Sequence, residues 1–137
     1  MNLKLLLGLS LFGLAMAYIT ISWDAPRMEQ VVWLLITLLS AWLIARFADQ
    51  LYFLHGFLAN ILNGIWTIYI HIRFINSYLS HHPREVTLFT TMVNELQITV
   101  AQAIILKEAT IAVVSGIVLG LISVAVARIL ITLKEEK

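Results

Sequence analysis

The chain has 137 residues, 61% of them hydrophobic and 12% charged, with a formal net charge of +1 and a mean hydropathy of +0.91. A soluble domain carries roughly a quarter of its residues as Asp, Glu, Lys or Arg, so this composition points to a lipid bilayer and leaves little for a separate soluble domain. Near-neutral charge without a Lys/Arg cluster argues against nucleic acid as a partner, and a chain with no cysteine has neither disulfides nor thiolate metal sites.

The first apolar stretch is Leu5–Trp23, preceded by Lys4 and ended by Asp24-Ala25-Pro26-Arg27. About nineteen residues suffice to cross a hydrocarbon core of ~30 Å. Ala15-Met16-Ala17 resembles a signal-peptidase site. The apolar run continues past it through Tyr18, Ile19, Ile21 and Trp23, which favours an anchored helix over a cleaved signal.

The second stretch is Val31–Phe47, interrupted by Thr37, Ser40 and Arg46. After a short Ala48-Asp49-Gln50 link, the third runs from Leu51 to Ile72 and on toward Leu79. So tight a connection predicts an antiparallel helical hairpin.

Ser80-His81-His82-Pro83-Arg84-Glu85 breaks the chain. Proline suits the first position of a helix, and Glu85 would meet the positive end of its dipole. Residues 83–107 then read as an amphipathic helix, with Phe89, Met92, Val93, Leu96, Val100, Ala103 and Ile104 recurring at helical spacing. The alternative is a fifth span over residues 86–106. It would place Glu95 at mid-bilayer, at a cost of about 2.5–3.5 kcal/mol. The last span is Ala109–Leu133, followed by Lys134-Glu135-Glu136-Lys137.

The expected fold is therefore all-α: an integral-membrane helical bundle in one domain, with spans at about 5–23, 31–47, 51–72 and 109–133 and an amphipathic helix before the last. Four spans place Lys4, Arg46, Arg128, Lys134 and Lys137 on one side and Arg27, Arg73, Arg84 and Lys107 on the other. That balance does not set the orientation; the five-span arrangement gives a more lopsided distribution. Tyr18, Trp23, Trp33, Tyr69 and Tyr78 would form one interfacial aromatic belt, and Trp42 and Tyr52 the other.

On the third helix, Gly56, Asn60, Asn63, Gly64, Thr67 and His71 fall within an arc of about 100°. Leu54, Leu58, Ile61, Ile65, Ile68 and Ile72 lie opposite. The polar stripe fits helix packing, with amides and hydroxyls bonding across an interface for about 0.6–2 kcal/mol each. It also fits a solute path lined by Asn60, Asn63, Thr67 and His71, joined by Glu95 if residues 86–106 cross the bilayer. On the last span, Ala112, Gly116 and Gly120 form a small-residue face that allows close approach of another helix, from this chain or a second copy.

No catalytic set is evident: the chain has no Gly-x-Ser-x-Gly, His-Glu-x-x-His or glycine-rich phosphate loop. No cofactor is expected either. His55 and His71 share one helix about 24 Å apart, and no other span holds a histidine to complete a bis-histidine haem site. His81, His82 and Glu85 are a metal-ligand candidate with fewer donors than zinc normally takes.

The leading functional expectation is an interaction or assembly subunit within the membrane, its partners the lipid bilayer and either further copies or other membrane subunits. A transporter or channel subunit for a small solute or ion is the alternative, and a membrane-embedded enzyme the third.

Overall fold

The computed structural model describes residues 1–135; Glu136 and Lys137, the end of the charged tail, lie outside the described residues. The fold is all-α, with six helices among the described residues: α1 (Leu3–Thr20), α2 (Pro26–Phe47), α3 (Tyr52–Arg73), α4 (Ile75–His81), α5 (Pro83–Leu96) and α6 (Val100–Glu135). Among them α1, α2, α3 and α6 are long and apolar enough to cross a membrane.

Local chemistry sets the helix ends. Asn2 caps α1, its side-chain oxygen accepting from the Leu5 N–H. Helix α2 begins at Pro26, five residues before the apolar run, because proline is preorganised for the first turn and Glu29 lies at the positive end of the dipole. The α2–α3 link turns on Leu51 at φ 59°, a left-handed conformation that costs a non-glycine residue about 1–2 kcal/mol. Instead of running on toward Leu79, α3 stops at Arg73, and the short α4 follows after Phe74.

The amphipathic helix is shorter than its periodicity implies. It ends at Leu96 rather than continuing to Lys107, and Gln97 turns left-handed at φ 55°. A capping box then starts α6. The Thr99 hydroxyl accepts from the Gln102 N–H at 3.2 Å, and Gln102 Oε1 accepts from the Thr99 N–H at 2.8 Å. With fourteen residues, α5 is about 21 Å long, too short to be a fifth span. The last helix begins nine residues before Ala109, so Lys107 and Glu108 lie two turns inside it.

Helix α3 packs between α1 and α6. Gly56 meets the backbone of Gly120, Gly64 meets Ala112, and Gly116 meets Phe57 and Asn60. On the other side Gly13 of α1 lies against Asn63 and donates its N–H to Asn63 Oδ1 at 2.9 Å. Helix α1 thus belongs to the bundle core, burying Leu6, Leu9, Ser10, Gly13, Met16, Ala17 and Thr20. The glycine face of α6 is occupied by α3 of the same chain.

Two buried clusters mark the ends of the bundle. Leu6, Leu9, Ile44, Ala48 and Ala59 fill the end near the α2–α3 link. Tyr78, Phe89, Ala103 and Ile104 dock α4 and α5 onto α6 at the other. Tyr78 is therefore a core residue, 3% exposed, and not part of an aromatic belt. Tyr18, Tyr69 and Trp42 do face outward.

Candidate functional site: a charged cavity in the bundle

Between the two clusters lies a cavity of about 400 Å³. Helix α2 buries only Ser40, Ala41 and Ile44, all in its C-terminal half. Its N-terminal half stands off from the rest and gives the cavity one wall, through Glu29, Trp33 and Thr37 at successive four-residue steps. Helix α1 contributes Ala17 and Thr20; α3 contributes Asn60, Asn63, Gly64, Thr67 and His71; α6 contributes Lys107, Glu108, Ile111, Ala112 and Ser115. Asp24, Tyr78, His82, Arg84 and Glu85 complete the lining at the α5 end. Below the floor, the Leu6–Leu9–Ile44 cluster fills the bundle.

A row of polar groups crosses the site. Lys107 Nζ donates to Glu85 Oε2 at 2.7 Å and to Glu108 Oε1 at 3.2 Å. Glu108 Oε1 lies 3.7 Å from His71 Nδ1, and His71 Nε2 is 3.1 Å from the Thr20 hydroxyl. The His71 ring stacks on Tyr78 with centroids 4.0 Å apart, and Tyr78 packs in turn on His82 at 4.5 Å. Burial pushes the Tyr78 phenol above its ordinary 10.0, with the nearby Lys107 ammonium opposing. The side chains of His71 and Glu108 are 4% and 10% exposed, so the inner end of this row is held away from water.

Asn60, Asn63, Thr67 and His71 all line the cavity. The two asparagines also tie helices together. Asn60 Nδ2 donates to Ala112 O at 3.1 Å and to Ser115 Oγ at 2.6 Å, while Asn63 holds Gly13. Thr67 donates back to Asn63 O. Glu95 stands exposed on α5 and is not among the lining residues. Among the described residues that line the cavity, Glu108 is a buried carboxylate, 8% exposed.

The other histidines do not gather. His55 is 1% exposed; it accepts from the Asn2 N–H and its Nδ1 bonds to Leu51 O. His81 Nδ1 lies on Ser77 O and His82 Nδ1 on Tyr78 O. Among the described residues no group of three or more His, Asp or Glu is placed to hold a metal ion, so His81, His82 and Glu85 do not form a metal site here.

Glu108 and Lys107 escaped the sequence pattern because the residues up to 107 read as a separate amphipathic helix. Two signals could have found them. Thr99-x-x-Gln102 starts a new helix, and Glu108 extends the Ala112–Gly116–Gly120 face by one step of four. Thr20, His71 and Glu108 have the order of a hydroxyl–imidazole–carboxylate triad. However, Thr20 is 4% exposed and its hydroxyl donates back to Met16 O at 2.9 Å, so it is placed as a proton partner rather than a nucleophile. No family model, curated protein or solved structure matches this chain.

Proposed function

We propose that this is an integral membrane protein that admits a small polar solute into its helical bundle from the α5 end, acting as a transporter or transporter subunit. One observation carries the reading: the connected row of Lys107, Glu85, Glu108 and His71 lines a cavity in a bundle whose four long helices are predominantly apolar. Taking ions out of water costs several kcal/mol each, and packing does not call for it. Ionisable groups at such positions mark solute and proton paths. The expectation of an assembly subunit rested on the small-residue stripes of α3 and α6. Those stripes pack on each other within the chain, and the solute site becomes the preferred reading.

The absence of native cysteine gives a direct test. Ser115→Cys and Thr37→Cys place thiols at the inner end of the cavity, and Leu39→Cys places one on the outer face of α2, where Leu39 is 45% exposed. In sealed vesicles, a charged thiosulfonate reagent is expected to modify positions 115 and 37 from one face only and to leave position 39 untouched. If neither cavity thiol reacts from either face, the solute-site reading fails.

A further inference from the structure

Glu85 and Glu108 flank a single ammonium, that of Lys107, so this partly buried cluster has one carboxylate more than it has ammonium groups. The elements packed around Glu108 present Thr20 from α1, His71 from α3, Tyr78 from α4 and Glu85 from α5, beside Lys107 on α6 itself. Farther out, Asp24 and Glu29 outnumber Arg84, and His82 is bonded to its own helix end. The rim therefore does not supply the missing charge. The buried atom aimed at the gap is His71 Nδ1. It has no hydrogen-bond partner and faces Glu108 Oε1 at 3.7 Å.

We propose that the cavity binds a small organic cation, and that this cation competes with a proton held by the His71–Glu108 pair for the same uncompensated negative charge. The proposal rests on reading the cavity as a solute site. Its volume falls within the roughly 300–1,000 Å³ of small-molecule pockets, and Trp33 on the α2 wall offers an indole, whose face attracts cations.

The pair can change charge without breaking its other contacts. A neutral His71 with its proton on Nδ1 points it at Glu108, and Thr20 then donates its hydroxyl to Nε2. A doubly protonated His71 donates from Nε2 to Thr20 Oγ1, whose hydrogen turns to Met16 O. Binding a permanent cation beside Glu108 makes the second proton unfavourable and releases it. Proton release and cation binding are then linked, so affinity rises with pH.

Benzyltrimethylammonium is a suitable probe because it does not titrate, so any pH dependence belongs to the protein. Calorimetry on the full chain in detergent, at pH about 5.5 and about 8.5 in buffers of different ionisation enthalpy, reads affinity and proton release together. The expected result is tighter binding at the higher pH, by at most about tenfold per pH unit for one proton released, with proton release on binding. Glu108→Gln is expected to weaken the cation at least about tenfold, the loss of one favourable charge contact. His71→Gln is expected to keep binding and lose most of the pH dependence. Equal affinity at both pH values without proton release overturns the competition. Preference for benzyl alcohol or benzenesulfonate overturns the cation assignment while leaving a solute cavity. Binding of none of the three overturns the cation assignment, and the thiol-labelling result separately decides whether the cavity admits solutes.

Discussion

The imidazole of His71 and the carboxylate of Glu108 meet across the α3–α6 seam at 3.7 Å, and the same carboxylate oxygen takes a hydrogen bond from Lys107. One oxygen thus faces two nitrogen groups, an ammonium and an imidazole. The ammonium is what allows two carboxylates to coexist this close together.

Removing that ammonium should therefore cost more than removing a carboxylate. Lys107→Met leaves Glu85 and Glu108 facing each other without compensation. Breaking a buried pair costs about 3–5 kcal/mol, and the 20% exposure of the Lys107 side chain places the expected loss toward the lower end. Glu108→Gln keeps the Lys107–Glu85 bond and should cost less. Thermal unfolding in detergent checks the order: a Lys107→Met protein as stable as Glu108→Gln contradicts the charge balance described here.

The α3–α6 seam makes a second contrast. A Cβ added at Gly56 would lie 2.8 Å from the Gly120 backbone, whereas one at Gly8 meets nothing within 4 Å. Gly56→Ala must push the helices apart, with an expected loss of about 1–3 kcal/mol. Gly8→Ala should gain about 0.5–1 kcal/mol from helix propensity alone. The comparison is made on unfolding midpoints of the monomer. A Gly56→Ala protein that keeps its midpoint but loses an oligomer would mean that this face joins separate copies.

Much of this architecture follows from patterns in the chain, and the exceptions have physical causes. The long apolar runs predict the four long helices, and the polar stripe of α3 does turn inward, with Asn63 only 3% exposed. The charged half of the site was hidden because periodicity cannot tell one bent helix from two. Residues 83–107 keep a continuous apolar rhythm across Gln97, yet the reciprocal bonds of Thr99 and Gln102 start a new helix there. That restart turns Lys107 and Glu108 from a boundary pair into cavity residues. Tyr78 looked like an interfacial aromatic because spacing reveals position along the bundle, not which neighbour covers a ring.

The helix order also fixes which loops share a face. Asp24 and α5 lie at one end of the bundle and Asp49 at the other. In sealed vesicles, a membrane-impermeant maleimide should therefore label Asp24→Cys and Glu95→Cys from the same face and Asp49→Cys from the opposite one. Glu95 is exposed, so its replacement should react readily. A position-95 thiol that stays unlabelled from both faces, while position 24 reacts, would return residues 86–106 to the membrane as a fifth span.

Tyr78 ties the site to alkaline stability. Its phenol is raised above the ordinary 10.0 chiefly by burial, so the folded protein favours the neutral form more than the unfolded chain does. The sign follows from linkage. This contribution is fully present below pH about 10 and is lost as pH climbs from there toward the folded-state value. Phenolate absorbance near 295 nm measures it through the difference between wild type and Tyr78→Phe. The folded proteins should titrate alike through pH about 10–11, and the wild type should show its extra phenolate only on unfolding or at still higher pH. A difference that appears at pH about 10 in the folded state would mean that water reaches this ring, and that the stack of His71, Tyr78 and His82 does not shield the phenol.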